Sequence, residues 1–315
     1  MYIQEIIMKP VKDYSINKDT TINELINQMH KAGGFTAKKI ASGVEILKEM
    51  FDQKECTNFL SFPACIIATG TRGIIKNLIK EKKINAIITT CGTIDHDLAR
   101  IWKDYYNGKF EINDIELHKK GINRLGNVFI PNENYGIILE DKIKKITEII
   151  YKEKKELSTW EVIWKIGELI KDEKNAKESI VYWAWKNKVK IFLPGPMDGC
   201  FGFQLFMFWQ THKDFKINLF EDEQELFNIV MDSKKTSALI IGGGISKHHT
   251  IWYNQFKNGL DYAVQITTAP EWDGSLSGAK TKEAISWSKL KEKAKHISIE
   301  GDATVLLPLM IGAII

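Results

Sequence analysis

The sequence predicts an α/β protein whose mostly parallel sheet is covered by helices on both faces. Short, continuous apolar runs alternate along the chain with longer segments in which apolar residues recur at helical spacing. Strands buried on both faces are typically apolar throughout, unlike the alternating strands of a half-exposed sheet. Regular alternation of strand and helix indicates a parallel sheet, because parallel neighbours need a long crossover connection.

The individual elements follow from these two patterns. Buried strands are predicted over residues 84–90, 189–193, 238–241, 262–267 and 304–307. Helices are predicted over residues 35–51, 72–83, 141–154, 160–171, 221–233 and 280–295. No linker rich in Pro, Gly or Ser divides the chain. One domain is therefore predicted over residues 34–315, with residues 1–33 as an N-terminal helical extension.

Composition excludes several classes of protein. The chain has 315 residues, of which 44% are hydrophobic and 27% charged, which excludes disordered, collagen-like and disulfide-scaffold classes. The net charge is only +4 and the basic residues are scattered along the chain, so no nucleic-acid partner is expected. Four cysteines without metal-ligand spacing predict reduced thiols, a cytoplasmic location and no metal site. The apolar stretches 191–210 and 305–315 are interrupted or too short to span a membrane, and residues 1–7 do not resemble a signal peptide.

Small and polar residues follow the first four of the five predicted strands. Thr90 and Gly92 follow the first strand, Asp198 the second, Gly243 the third and Thr268 the fourth. Ligands of open α/β sheets bind outside the carboxyl ends of the strands, where small residues expose backbone N–H groups. A nucleotide-type ligand is therefore predicted, although the chain lacks the G-x-G-x-x-G motif that would identify a dinucleotide site by itself.

Two adjacent histidines, His248 and His249, lie where a helix is expected to begin. Neighbouring helical residues point about 100° apart, so one ring is expected to face the cleft and the other the protein. Helix-start polar residues without a function are the alternative. A metal pair is not expected, because no further ligand lies at helical spacing.

The segment ending at Lys289 has the composition of an amine site. On the helix predicted over 280–295, Glu283 and Trp287 would share one face. An acid beside an indole attracts an ammonium group through charge and cation–π interaction. A lysine that forms a Schiff base must lose its proton, and an adjacent indole that excludes water favours the uncharged amine. An ordinary surface lysine on a lysine-rich helix is the alternative.

The run from Glu283 to Lys289 (EAISWSK) resembles the segment that carries the catalytic lysine of deoxyhypusine synthases. Further matching segments occur in the same order along the chain as in the family, and together with this run they extend over residues 35–315. They are 121–135 (GINRLGNVFIPNENY), 182–184 (YWA), 242–249, 261–264 (DYAV), 271–279 and 302–303.

The resemblance implies a Rossmann-like, NAD-dependent homotetramer with active sites between subunits. The implied reaction transfers the aminobutyl group of spermidine to one lysine of the translation initiation factor 5A precursor. On this resemblance Lys289 is the nucleophile, Trp287 and Glu283 form the amine site, and His248 is an acid/base or a polyamine contact. The implied cofactor positions are Thr90, Gly92, Asp198, Gly243, Thr268, Ala269, Asp302 and Ala303. The implied substrate contacts also include His96, Gly274 and Ser275.

The chain departs from the family pattern in the amine half of the site. Three positions where family members carry acids are His96, Phe203 and Leu276, and the early Ser-Asn of the cofactor loop is Ala64-Cys65. A polyamine needs a carboxylate or a comparable partner for each ammonium that leaves water. The substrate, or the way its far end is held, is therefore expected to differ.

Three functions stay open. The first is a deoxyhypusine synthase of archaeal type, and the second is a related aminobutyltransferase that forms homospermidine or uses another donor such as agmatine. The third is a catalytically silent subunit that binds NAD. The amphipathic segment 22–29 of the extension is expected either to dock on a neighbouring subunit or to pack on its own chain.

Overall fold

A six-stranded parallel sheet lies at the centre of the chain. The computed structural model describes residues 8–315, so the expectation about a signal peptide in residues 1–7 lies outside the described residues. The strands of the sheet are β1 (Cys56–Phe62), β2 (Ala86–Thr89), β3 (Lys190–Phe192), β4 (Lys235–Ile241), β5 (Leu260–Thr267) and β6 (Leu290–Glu300).

The strand order across the sheet is β3-β2-β1-β4-β5-β6, and every neighbouring pair is parallel. The strands β1, β2 and β3 therefore follow one another from the middle of the sheet to one edge. The strand β4 lies on the other side of β1, and β5 and β6 follow it to the opposite edge. This order is that of the Rossmann fold, in which a crevice opens between the first and fourth strands. The predicted fold class is confirmed, and the carboxyl ends of all six strands lie on one side.

Helices cover both faces of the sheet. The α-helices within residues 8–315 are α1 (Ile22–Ala32), α2 (Phe35–Asp52), α3 (Thr71–Lys80), α4 (Gly92–Trp102), α5 (Asp114–Lys119), α6 (Gly136–Glu153), α7 (Thr159–Leu169), α8 (Ile180–Asn187), α9 (Cys200–Thr211), α10 (Leu219–Asp232), α11 (Gly244–Gln255) and α12 (Ala303–Gly312). Successive strand residues point to opposite faces, so Leu60 and Leu239 enter one core, and Phe59 and Ile240 enter the other. The second core lies beneath α10 and α11.

Short elements surround this centre. Three antiparallel strands, Tyr106–Asn107, Ile122–Leu125 and Val128–Pro131, form one small sheet, and Glu156–Leu157 pairs in parallel with Lys216–Ile217. The 3₁₀ helices are Ala64–Ala68, Asn132–Asn134, Ala176–Glu178, Glu271–Asp273 and Thr281–Ile285.

Two predicted elements were wrong. Residues 304–307 lie in α12, where the Asp302 carboxylate accepts a hydrogen bond from the Thr304 amide and caps the helix. A short apolar run does not distinguish a strand from one turn of a buried helix. Residues 280–295 form no α-helix: they contain the 3₁₀ helix Thr281–Ile285 and the first part of β6. The lysines of β6 belong to an edge strand, where charge discourages pairing with another chain.

The central strand β1 was missed because polar residues interrupt its apolar run. Asn58 is buried, and its side-chain amide donates to the Lys83 carbonyl while its backbone amide donates to Asn85. The other four predicted strands and five predicted helices are present with slightly shifted ends.

Helix α1, in the described part of the N-terminal extension, packs on its own chain. A capping box of Thr21 and Glu24 begins α1, and Ile26 is buried in the core that also contains α2. This contact favours the ordinary packing role for residues 22–29 over docking on a neighbour. All four cysteines, which lie within residues 8–315, are free thiols, as predicted. Among the helices described, none is long and apolar enough to cross a membrane.

Candidate functional site

Two helices begin at the carboxyl edge of the sheet without a side-chain cap. The helix α4 follows β2 and has Cys91 at its N-cap, and α11 follows β4 and has Gly243 at its N-cap. Neither residue accepts a hydrogen bond from the first turn through its side chain. At α11 the N–H groups of the first turn and the positive end of the helix dipole favour an anion such as a phosphate. At α4 the Thr93 and Ile94 amides already donate to the Thr90 and Cys91 carbonyls, so only the dipole favours an anion there.

The backbone around the crevice fits a dinucleotide. Gly244 has φ +63°, and a Cβ placed on it would meet no atom within 4 Å, so a ligand can approach the backbone closely. The Thr90 hydroxyl accepts a hydrogen bond of 3.0 Å from the Ala64 amide, which joins the loop after β1 to the loop after β2. Together the open glycine, the uncapped start of α11 and the strand order are those expected of a dinucleotide site.

All eight predicted cofactor residues lie at this carboxyl edge. Thr90 and Gly92 follow β2, Asp198 follows β3, Gly243 follows β4, Thr268 and Ala269 follow β5, and Asp302 and Ala303 follow β6. Asp198 and Thr268 are exposed there. One oxygen of Asp302 is already occupied in capping α12.

The segment 275–281 lies across the glycine loop that follows β4. The buried Gln265 side chain donates to the carbonyls of both Gly242 and Ser277, at 3.3 and 3.0 Å, and so joins the loop to the segment. Gly274 and Ser275 lie at the exposed turn that begins the segment, and Gly274 has φ +69°. These two predicted substrate residues therefore lie next to the carboxyl edge of the sheet where the eight predicted cofactor residues lie, which we call the cofactor edge.

The two histidines on α11 point in different directions, as their spacing predicts. His249 is buried, and its Nε2 lies 3.1 Å from the Glu223 carboxylate. His248 is half-buried, with its ring centroid 5.7 Å from that of Trp252. Burial, and then the positive charge of Lys289, lower the pKa of His248 below its usual value. His248 is therefore neutral at pH 7 and able to accept a proton.

Lys289 and Trp287 are brought together, although not by a helix. The Lys289 Nζ lies 5.2 Å from the centre of the Trp287 ring, which is 61% exposed. Ser288 has φ +55° and turns the chain between them. The Lys289 carbonyl accepts a hydrogen bond of 3.2 Å from the Leu260 amide at the start of β5. The backbone of Lys289, the predicted nucleophile, is thereby attached to the sheet.

Glu283 does not share a helix face with Trp287, which corrects the predicted spacing. Glu283 lies in the 3₁₀ helix Thr281–Ile285, and Trp287 lies beyond its end. The Glu283 side chain is exposed; burial lowers the pKa of Lys247, and the negative charge of Glu283 opposes that shift only in part. Its carboxylate is therefore accessible to a cationic ligand.

His96 lies in an aromatic environment on α4. Its Nδ1 and the Tyr105 hydroxyl are 3.0 Å apart, and its ring is tilted against Tyr135 at 5.3 Å. Burial, and then the charge of Arg100, lower the pKa of His96 to about 4. His96 is thus uncharged at pH 7 and offers a polar edge rather than a carboxylate.

The acids on either side of His96 already have partners. Asp95 accepts hydrogen bonds from the Tyr135 hydroxyl and from the amides of Cys200 and Phe201. Asp97 is fully buried in an ion pair with Arg72. Phe203, at the second acid position of the family, is 53% exposed, and Leu276 is half-buried. None of the three replaced positions offers a negative charge to an amine.

Sequence reasoning missed Lys247, which is only 2% exposed. Its ammonium donates to the carbonyl oxygens of Leu276 and Ala279. A lysine next to a glycine-rich helix start is ordinarily exposed, so the sequence contains no signal for this burial.

Comparisons with known proteins agree with this geometry. The family model "DS: Deoxyhypusine synthase" matches residues 24–314. A Picrophilus torridus protein named "Probable deoxyhypusine synthase" is 57% identical over 98% of this chain and 97% of its own length. A Thermoplasma acidophilum protein of the same name is 52% identical over 98% of each chain. A crystal structure of an Entamoeba histolytica protein that carries the deoxyhypusine synthase name has a TM-score of 0.66, at 20% identity over 96% of each chain, and shows the same fold.

Proposed function

Because this chain belongs to the deoxyhypusine synthase family and is therefore a transferase, we propose the following reaction for it. It transfers the 4-aminobutyl group of spermidine to one lysine of the translation initiation factor 5A precursor and releases diaminopropane, with NAD as cofactor, in the cytoplasm. The observation that carries the proposal is the pairing of Lys289 with Trp287, together with a neutral His248 whose pKa is lowered in part by the charge of Lys289. His248 lies on α11, whose first turn begins at the carboxyl edge of the sheet.

The chain's own groups support each role. Bound NAD would supply a hydride acceptor that later returns the hydride. The uncapped first turn of α11 and Gly244 would hold its phosphates. Lys289 attacks only as a free amine, and His248, neutral at pH 7, would serve as the base that removes a proton from it. The Trp287 ring attracts cationic amine groups and keeps water from one side of the lysine.

The missing acids point to a contribution from a second subunit. We place the far end of the polyamine against a neighbouring chain of a homotetramer, because His96, Phe203 and Leu276 give this chain no charge there. A groove of about 830 Å³ between α9 and α10 supports such an assembly. Its lining includes the exposed Phe206, Trp209, Leu219 and Phe220. Exposed apolar surface of this extent is typical of subunit interfaces.

The experiment incubates the enzyme with NAD, spermidine labelled in the aminobutyl group, and the factor 5A precursor. Label in the precursor protein is expected, together with an enzyme adduct at Lys289 that borohydride traps. Lys289→Ala should abolish both the labelling of the precursor and the adduct. The control is Lys291→Ala, two residues from Lys289, which removes only an ion pair with Asp261 and should retain both. Transfer of label by Lys289→Ala would contradict the covalent role.

A second candidate, a related aminobutyltransferase, is favoured by the same three uncharged positions. It would form homospermidine or take its aminobutyl group from another donor such as agmatine. Label that appears only in small amines, or only with agmatine as donor, would support this candidate and exclude the first.

A further inference from the structure

Lys247 is a buried cation without a carboxylate partner at contact distance. Its Nζ donates to the Leu276 carbonyl at 2.7 Å and to the Ala279 carbonyl at 2.5 Å. Lysine is rarely this buried unless it is paired, because desolvating an ammonium is costly. Burial lowers the pKa of Lys247 to about 8, with the Glu283 charge acting in the opposite direction. The group therefore stays mostly protonated at pH 7 and offers strong, charge-assisted donors.

The two carbonyls belong to the segment 275–281, which is held from both sides. Gly243 lies against the backbone of Ser277, and a Cβ on Gly278 would lie 2.1 Å from the Pro270 carbonyl oxygen. Lys247 reaches the carbonyls on either side of these two residues. These contacts fix the position of the segment relative to α11, and the hydrogen bonds from the Lys247 ammonium attach the segment to that helix.

The segment continues directly to the predicted nucleophile. The Thr281 amide donates to the Ser298 hydroxyl at 2.9 Å, and the 3₁₀ helix Thr281–Ile285 then leads to Lys289. Lys247 and Lys289 also line one small cavity together with Ala284. A shift of the segment would therefore be transmitted to Lys289.

We propose that Lys247 is a positioning residue, whose ammonium holds the segment 275–281 against α11 and thereby sets the place of Lys289 relative to His248. This role deepens the proposed function and rests on it for the chemistry at Lys289. The hold on the segment can be measured without any substrate.

The test compares Lys247→Met with Lys257→Met. Methionine retains an unbranched stem and removes the ammonium. Lys257 is half-buried and is a matched control, because its Nζ also donates to a backbone carbonyl, that of Met231, but in a hydrogen bond exposed to solvent. Hydrogen–deuterium exchange is measured on peptides that cover residues 271–285. Formation of the borohydride-trapped adduct is measured at saturating spermidine, and NAD binding is measured separately.

For Lys247→Met we expect exchange in these peptides to rise and the rate of adduct formation to fall, each by about tenfold or more, because small misplacements of reacting groups cost large factors in rate. NAD affinity should change less than about threefold, which separates positioning from general damage to the fold. Lys257→Met should match the wild type in all three measurements. Lys247→Gln, which retains one amide donor, should be intermediate and serves if the methionine variant does not fold.

Unchanged exchange in both Lys247 variants would overturn the inference, and so would faster exchange with an unchanged rate of adduct formation. Loss of NAD binding in parallel with the adduct would also overturn it, because Lys247 would then only support the fold. If the wild-type enzyme forms no adduct from spermidine, the proposed function fails, while the exchange measurement still decides whether Lys247 holds the segment.

Discussion

Gly243 and Ser277 are in direct backbone contact across the cofactor edge. A Cβ on Gly243 would lie 2.3 Å from the Ser277 amide nitrogen and 2.4 Å from its Cα. No flexible side chain can move away there, because both of the nearest atoms belong to the backbone. The contact joins the first turn of α11 to the segment that leads to Lys289.

Gly243→Ala should therefore displace the segment 275–281. We expect a loss of about 1–3 kcal/mol in the free energy of unfolding, as for other overpacked sites, together with weakened NAD binding. Gly73→Ala is the control, because Gly73 lies within α3 and a Cβ there meets nothing within 4 Å. Chemical denaturation and NAD titration measure both effects. Normal stability and NAD affinity in Gly243→Ala would show that the contact imposes no constraint.

Asp97→Ala should be among the most destabilising substitutions in the chain. Asp97 pairs with Arg72 and also accepts from the Ser179 hydroxyl and two backbone amides, all away from solvent. Its removal leaves a buried guanidinium without its partner, which typically costs about 3–5 kcal/mol. Denaturant unfolding measures the loss. Asp114→Ala removes an exposed partner of Arg124 and should change little, so equal losses in the two variants would contradict the burial argument.

The pH dependence of stability should carry a contribution from His96. The pKa of His96 is about 4 in the folded protein and 6.5 for an unperturbed histidine, so between these pH values the unfolded chain binds one proton more than the folded chain. This group does not reduce the free energy of unfolding above pH 6.5. As the pH falls from 6.5 towards 4, the free energy of unfolding decreases by about 3 kcal/mol at most. The free energy of unfolding is measured at pH 7.5 and 4.5 for the wild type and for His96→Gln.

At pH 7.5 the variant should be the less stable protein, by about 1 kcal/mol, because it loses the contact with Tyr105. At pH 4.5 this difference should shrink or reverse. A difference that is the same at both pH values would mean that His96 titrates normally in the folded protein.

Phe220→Glu should disrupt the proposed assembly. Phe220 is 87% exposed in the groove between α9 and α10, so a charge there costs the single chain little but cannot be buried at an interface. Light scattering coupled to size exclusion should show smaller particles, with reduced transferase activity. The control Ile115→Glu, at an exposed position on α5, should retain the wild-type mass. A Phe220→Glu variant of unchanged mass would place the interface elsewhere.

The sequence predicts the sheet well where burial is uniform and poorly where it is not. The strands β2, β4 and β5 are apolar runs and were found, whereas β1 contains Asn58, whose polar side chain is satisfied by distant backbone groups that the sequence does not reveal. The edge strand β6 is rich in lysine, so its composition matches a solvated helix. Its pairing with β5 decides the structure, and that is a tertiary effect.

The candidate site divides in the same way. The cofactor loops were predictable, because parallel strands necessarily bring their carboxyl ends to one edge. The position of Lys289 was not predictable from helical spacing, since it depends on a turn at Ser288 and on a hydrogen bond of its carbonyl with the Leu260 amide. The role of Lys247 depends on carbonyls about thirty residues away and has no local signature.

The helix α11 joins the cofactor edge to the amine site, and this has a consequence for insertions and deletions. Gly244 opens its first turn and His248 lies about one turn further along. One inserted residue between them would rotate the imidazole by about 100° around the axis and move it about 1.5 Å along it. The ring would then point in a different direction relative to the first turn of α11, even though every side chain of the site would still be present. The number of residues between Gly244 and His248 is therefore as much a requirement of this site as their identities.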